Sequence, residues 1–346
     1  MQRNPAAVAF TALLALASAA EAVPPVLHGV MFRTGSQTSG LGPWLFDVNP
    51  DTGAAANGRQ LNVNIAVGIA INPSTGVMYG LTDQLGRINN QSGTGGKNLI
   101  FRIDIPTGTC TAVGQLDPAD TSSTGALAVF EGDLDFHPQT GVLWGVTTRV
   151  DFARLFTVDL ATGRGTIVAD IVPGAGVQFD VSSIAFDASG ALWALDTRYP
   201  TQPGPARIHR VNPTTGAIEQ TYATTVALGT VGGLAFDPRT GALLVADGDF
   251  GGTAKLYRYD FAIGDLVLIG RTGVAIGNSN GFAGLEFAPW NPPCTGDLDG
   301  NGEVGAPDLA ALLAAWGSSG AADLDGDGAV GSPDIAVLLG AWGTCP

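Results

Sequence analysis

Gly233-Leu-Ala-Phe236-Asp-Pro238, then Arg-Thr-Gly241, then Ala242-Leu-Leu-Val-Ala246 reads as an apolar strand, a tight turn and a second apolar strand laid end to end. The first segment recurs with a period near 50. Its copies are Gly68-Ile-Ala-Ile71-Asn-Pro73, Asp133-Leu-Asp-Phe136-His-Pro138, Ser183-Ile-Ala-Phe186-Asp-Ala188 and Gly284-Leu-Glu-Phe287-Ala-Pro289. The second recurs as Val77-Met-Tyr-Gly-Leu81, Val142-Leu-Trp-Gly-Val146 and Ala191-Leu-Trp-Ala-Leu195. Such a period must be recognised before any local assignment, because each repeat is one unit that cannot bury its apolar face alone.

Working outward, a third strand follows in each unit: Leu45-Phe-Asp-Val48, Ile100-Phe-Arg-Ile103, Leu155-Phe-Thr-Val158, Ile208-His-Arg-Val211 and Leu256-Tyr-Arg-Tyr259. Turns ending at Gly53, Gly108, Gly163, Gly216 and Gly264 lead to a weaker fourth strand, as in Thr166-Ile-Val-Ala169. Four short strands per unit with hairpin turns are the mark of propeller blades. The last unit has a first strand but no second, and Val26-Leu-His-Gly-Val30 matches Val77 to Leu81 position for position. The fold expected is mainly β: a five-bladed β-propeller over residues 23–292, closed by an N-terminal strand beside the C-terminal one. The strand order loosely resembles secreted propellers of the NHL and YVTN type, which implies a fold and no activity.

The C-terminal stretch is different in kind. Asp297-Leu-Asp299-Gly-Asn301-Gly302-Glu303-Val304-Gly305-Ala-Pro-Asp308 is repeated 26 residues on as Asp323-Leu-Asp325-Gly-Asp327-Gly328-Ala329-Val330-Gly331-Ser-Pro-Asp334. Oxygens at loop positions 1, 3, 5 and 12, with glycine at 6, suit a hard cation that takes six to eight oxygen ligands. Each loop runs into an apolar stripe: Leu309, Leu312, Leu313 and Trp316, then Ile335, Leu338, Leu339 and Trp342. Their matched registers predict two short helices packed stripe to stripe.

This pair resembles a type I dockerin, an EF-hand-like calcium module, over residues 295–343. The resemblance implies a small α-helical calcium-binding domain at 293–346 holding two Ca²⁺. The ligands would be Asp297, Asp299, Asn301, the Glu303 carbonyl and Asp308, then Asp323, Asp325, Asp327, the Ala329 carbonyl and Asp334. Position 9 is Gly305 or Gly331, so water must serve there. Positions 10 and 11, which read the cohesin partner in the family, are here Ala306-Pro307 and Ser332-Pro333. A cohesin-like or cell-surface protein is the partner expected of this module.

Composition bounds the rest. Arg3, an apolar run from Ala6 to Ala17 and the small residues Ala17, Ala19, Ala20 and Ala22 read as a secretory signal over 1–22. The run is shorter than the ~20 residues a membrane span needs. The protein is expected to be secreted or extracellular, and a monomer. Eight of the 31 acids and none of the 16 bases follow Cys294; nucleic-acid binding is excluded by the scarcity of bases. Cys294 and Cys345 bracket the calcium loops and are expected to pair, closing a loop of about 52 residues. Cys110 is then left over and expected to be buried in a strand.

Variable connections at 33–43, 83–98, 117–131, 147–154, 196–207, 247–254 and 272–281 emerge at one end of the blades. Loops on a rigid scaffold are where such proteins bind, and Asp83, Thr147, Asp196 and Asp247 are expected to face that rim. The inner strands add Glu131, Asp133, Asp135 and Glu286 near the axis. Two carboxylates about 5–9 Å apart suffice for glycoside hydrolysis, and five-bladed propellers of the arabinanase type use axial acids. Asp133, Asp135 and Glu286 are therefore the catalytic candidates. Against them, no aromatic shelf is evident, since Trp144 and Trp193 occupy blade-packing positions, and none of the three histidines has metal-ligand spacing. Two functions follow: a binding propeller for an extracellular ligand, a polysaccharide among the options, tethered through a calcium module; or a polysaccharide-degrading hydrolase carrying that module.

Overall fold

A computed structural model of the chain describes residues 25–31, 42–83, 85–88, 98–119, 125–149, 152–173, 179–197, 204–229, 232–247, 254–274, 281–289, 295–299, 301 and 303–344. The expected signal segment, Cys294, Cys345 and most of the variable connections lie outside these residues. Two compact units result, Pro25–Trp290 and Asn291–Pro346. Among the described residues no helix is long and apolar enough to cross a membrane.

The larger unit is a five-bladed propeller. Its N-terminal strands are β1 (Leu27–Met31), β2 (Trp44–Val48) and β3 (Ala55–Gln60). The first complete blade is β4 (Gly68–Ile71), β5 (Met78–Leu81), β6 (Leu99–Asp104) and β7 (Thr109–Gln115). The second is β8 (Gly132–Phe136), β9 (Leu143–Thr148), β10 (Ala153–Val158) and β11 (Gly165–Ile171). The third is β12 (Val181–Phe186), β13 (Leu192–Asp196), β14 (Arg207–Val211) and β15 (Ile218–Ala223). The fourth is β16 (Leu234–Phe236), β17 (Leu243–Ala246), β18 (Lys255–Asp260) and β19 (Asp265–Arg271). The last inner strand, β20 (Phe282–Phe287), pairs antiparallel with β1, Leu27 opposite Phe287, to give the sheet order β20-β1-β2-β3. This is the closure that the matching of Val26–Val30 to the second strands implied.

The repeated turns explain the hairpins. Asn72 Oδ1 accepts the amides of Ser74 and Thr75 at 2.9 and 3.1 Å, and Gly76 at φ 69° brings the chain back. A side chain that mimics the backbone acceptor, followed by a residue free to take positive φ, makes the turn local and self-contained. Asn49, Asp237 and Asn212 repeat the device. The core is five apolar layers, one between each pair of adjacent blades.

In the smaller unit, β21 (Glu303–Val304) precedes α1 (Ala306–Ala314), and α2 (Ser332–Gly340) precedes β22 (Gly343–Thr344). Val304 pairs with Gly343, while Val330 exchanges two backbone hydrogen bonds with Gly317 and Ser318. Each loop is thus tied to the segment that follows the other's helix, an internal two-fold. Leu312 and Leu338 are buried with Val304 and Val330. The expected packing of whole stripes is corrected here: Leu313, Trp316, Leu339 and Trp342 are about half exposed, Trp316 at 51% and Trp342 at 49%. Nine-residue helices in so small a unit have one inward line each, and the second line of the stripe is left to solvent.

Candidate functional site

The six-residue repeat that builds the inner strands also builds a cavity. Its first position is Gly68, Asp133, Ser183, Gly233 or Gly284, and the three glycines leave room for two polar side chains. A Cβ on Gly68 would lie 2.2 Å from Asp133 Oδ1, and one on Gly284 would lie 3.3 Å from it. Asp133 is fully buried and accepts the Ser183 hydroxyl and the amide of Leu134. Ser183 Oγ in turn accepts the Leu234 amide at 2.8 Å. Burial pushes the Asp133 carboxyl well above the usual range, although the bonds from Ser183, Leu134 and Ile69 oppose it. Asp133 is a tie between neighbouring blades.

The third position is Ala70, Asp135, Ala185, Ala235 or Glu286. Asp135 accepts the amides of Phe136 and Phe186, and its carboxyl is in hydrogen-bonding contact with that of Glu286. Burial raises the Asp135 carboxyl to about 7, and burial followed by the charges of Asp135 and Asp133 raises Glu286 well above its ordinary value. Like charges in contact cannot both ionise, so the pair holds a proton between them near neutrality. Contact of this kind is closer than the ~5–5.5 Å of a retaining glycosidase pair and far from the ~6.5–9.5 Å of an inverting one.

Asp135 and Glu286 open into a cavity of 610 Å³ to which all five blades contribute. Fourth-position residues Ile71, Phe136, Phe186, Phe236 and Phe287 ring it, and Trp193 and Phe261 add to the wall. Trp193 meets Phe236 and Phe261 edge to face (5.8 and 5.6 Å between centroids), and its Nε1 donates to Asp187 Oδ2 at 3.0 Å. The expectation that the acids lack an aromatic shelf is thereby corrected. The signal lay in the sequence, as phenylalanine at the fourth position of four copies, but periodicity does not say that equivalent residues converge on an axis.

The cavity lies where the inner strands run into the turns before the second strands. That is the end opposite to the strand-end groups Asp83, Thr147, Asp196 and Asp247; most of the variable connections fall outside the described residues. The strand-end groups Asp83, Thr147, Asp196 and Asp247 do sit at one end of their blades, but they are buried. Asp83 accepts the Leu85 amide at 2.7 Å, Asp196 that of Asp180 at 3.0 Å and Asp247 that of Gly229 at 3.0 Å. They hold their own loops. Nearby, Glu131 and Asp180 form a second acid pair that sequence reading had not joined. Burial, then the charge of Asp180, lifts Glu131 to about 9, and burial, with the charge of Asp196, lifts Asp180 to about 7. Cys110 is free and buried in β7, and burial pushes its thiol up to about 12. His28 and His209 lie in β1 and β14, beside Asp47 and Asp196.

In the smaller unit, carboxylate oxygens of Asp297, Asp299 and Asp308 lie within 4.8 Å of one another, as do those of Asp323, Asp325 and Asp327. Asp308 and Asp334 are buried and accept matched sets of amides: Leu298, Asp299 and Gly305 for one, Leu324, Asp325 and Gly331 for the other. Asn301 Oδ1 accepts the Glu303 amide, and Gly328 at loop position 6 has φ 96°; Gly302 lies outside the described residues. Clustered hard oxygens on a positive-φ turn fit a calcium-type ion.

No protein-family model matches the chain, and no curated protein sequence matches it. Among solved structures it is similar to a chain of the nidogen/laminin complex, with a TM-score of 0.42 and 13% identity over 76% of this chain and 98% of that one. It is also similar to TolB from Acinetobacter baumannii (TM-score 0.40, 10% identity, 76% of this chain and 66% of that one). A third is the periplasmic gluconolactonase of Pseudomonas aeruginosa (TM-score 0.39, 14% identity, 70% of this chain and 82% of that one).

Proposed function

We propose that this is a secreted or cell-surface binding protein whose propeller takes an extracellular ligand in the axial cavity, and whose calcium-loaded, dockerin-like module (residues 293–346) tethers it to a protein partner. The observation that carries the reading is the cavity itself: one aromatic-walled site with two acids at its floor, built by all five blades. Its volume falls in the ~300–1,000 Å³ range of small-ligand sites. For the module, the two carboxylate clusters supply the ion's ligands, and half-exposed Leu313, Trp316, Leu339 and Trp342 offer an apolar surface to a partner. A glycan-array screen of the full chain beside its Trp193→Ala variant tests the propeller: binding lost in the variant supports the cavity, binding retained refutes it. Recovery of a cell-surface partner that stops on calcium chelation tests the tether. Recovery of no partner with calcium present leaves the module as a stabilising cap.

The second reading is hydrolysis of O-glycosyl bonds. A carboxyl raised to about 7 beside another favours proton transfer, whereas direct contact of the two acids disfavours the spacing that sugar hydrolysis needs. Glycan turnover abolished by Glu286→Gln or Asp135→Asn supports the enzyme; binding without turnover supports the first reading.

A further inference from the structure

The axial cavity has one sign of charge. Among the described residues its wall includes Asp135, Glu286, Asp187 and Asp237, and no Lys, Arg or His. Asp237 is neutralised from outside the wall by Arg239, 2.7 Å away, which also holds Asp51 at 2.9 Å. Asp187 keeps its charge: burial works to raise its carboxyl, but bonds from Ser189, Trp193 and Ala191 outweigh it and hold it below the ordinary value. Beside prolines and small side chains, the rest of the wall carries six aromatic rings, Phe136, Phe186, Trp193, Phe236, Phe261 and Phe287, and the negative faces of such rings attract cations. A neutral ligand would gain nothing from this charge. A bare metal ion would fill little of the 610 Å³ and could find no ligands on the phenylalanine wall.

Taking the cavity as the ligand site proposed above, we infer that it binds an organic ammonium group, with Asp135 and Glu286 as counter-charge at the floor and Trp193, Phe186, Phe236 and Phe261 around the cation. Below neutrality the ammonium takes the place of the proton that Asp135 gives up at about 7, so binding releases a proton and tightens as pH rises. The neighbours leave this change to the pair itself. His28, opposite Glu286 on β1, is lowered to about 4 by burial; burial pushes the Asp133 carboxyl well above its ordinary range; Asp187 is held below its ordinary value, and Asp237 stays paired with Arg239.

The test is a ligand-observed NMR titration of the full-length protein with n-butylammonium and its neutral match 1-butanol. The ammonium is expected to bind about tenfold tighter or more, to tighten between pH 5 and pH 8, and to lose that advantage in Glu286→Gln and Asp135→Asn. Circular dichroism of each variant checks that it is folded, and the unchanged weak binding of 1-butanol checks that the cavity persists. Glucosamine against glucose, and Nα-acetyl-lysine amide against its fully acetylated form, then distinguish an amino sugar from a lysine side chain as the natural source. Equal affinity for amine and alcohol, or binding of neither, overturns the inference. A neutral oligosaccharide that binds and is lost in Trp193→Ala also overturns it, while leaving the binding role standing.

Discussion

At the axis, single side chains decide how closely five backbones approach. Gly68 faces Asp133 so tightly that a Cβ would sit 2.2 Å from Oδ1 and 2.5 Å from Cα. Gly68→Ala is expected to cost about 1–3 kcal/mol by overpacking, read as a lower urea midpoint at unchanged slope. Glu131 makes a prediction of another kind. Burial raises its folded-state value to about 9, so the protonated form is the one the fold prefers, and its contribution weakens as pH climbs from the unfolded value of 4.5 towards 9. Glu131→Gln does not titrate. Its thermal midpoint is therefore expected to gain on the parent's more at pH 8 than at pH 5. Equal differences at both pH values would contradict the buried assignment. As letters in a sequence, Asp133, Asp135 and Glu286 were equivalent acids near a channel. Packing separates them, because Ser183 and the two glycines Gly68 and Gly284 make one a strut while two alanine-flanked positions leave the others open to a cavity.

Within a blade, a glycine on the second strand is roofed by a phenylalanine on the third. Gly80 stands opposite Phe101 and Gly145 opposite Phe156, each with a prospective Cβ 2.4 Å from the ring. Gly145→Ala is expected to destabilise by about 1–3 kcal/mol, measured by calorimetry, with Phe156→Leu partly restoring the double variant. Strand order, hairpin turns and the closing strand were all legible, because the period near 50 and the Asn/Asp turn chemistry are written in the chain itself. The helices were legible in place but not in burial. A 3.6-residue period selects Leu312, Leu313 and Trp316 alike, and only the third dimension reveals that the inward line of α1 is occupied by Leu312. The cavity was the least legible element: the repeat announced that five phenylalanine-like positions are equivalent, whereas their convergence is a property of the closed ring.

For the whole molecule, two units with separate cores imply two thermal events. Calcium removal from the full chain is expected to lower one transition in scanning calorimetry and leave the propeller's in place; a scan indifferent to chelator would remove the ion from the account. The ring depends on its clasp, in which Leu27 pairs with Phe287 and Val30 with Gly284. Removing residues 25–31 leaves β20 with no partner strand and β2 with β3 alone, and loss of soluble protein is the outcome anticipated. That clasp joins strands about 260 residues apart in the chain. A ribosome adding about 5–20 residues per second needs tens of seconds to supply the second half. During that interval the nascent polypeptide is an open fan with two raw edges, exposed to every other unpaired strand until the last one arrives to seal it.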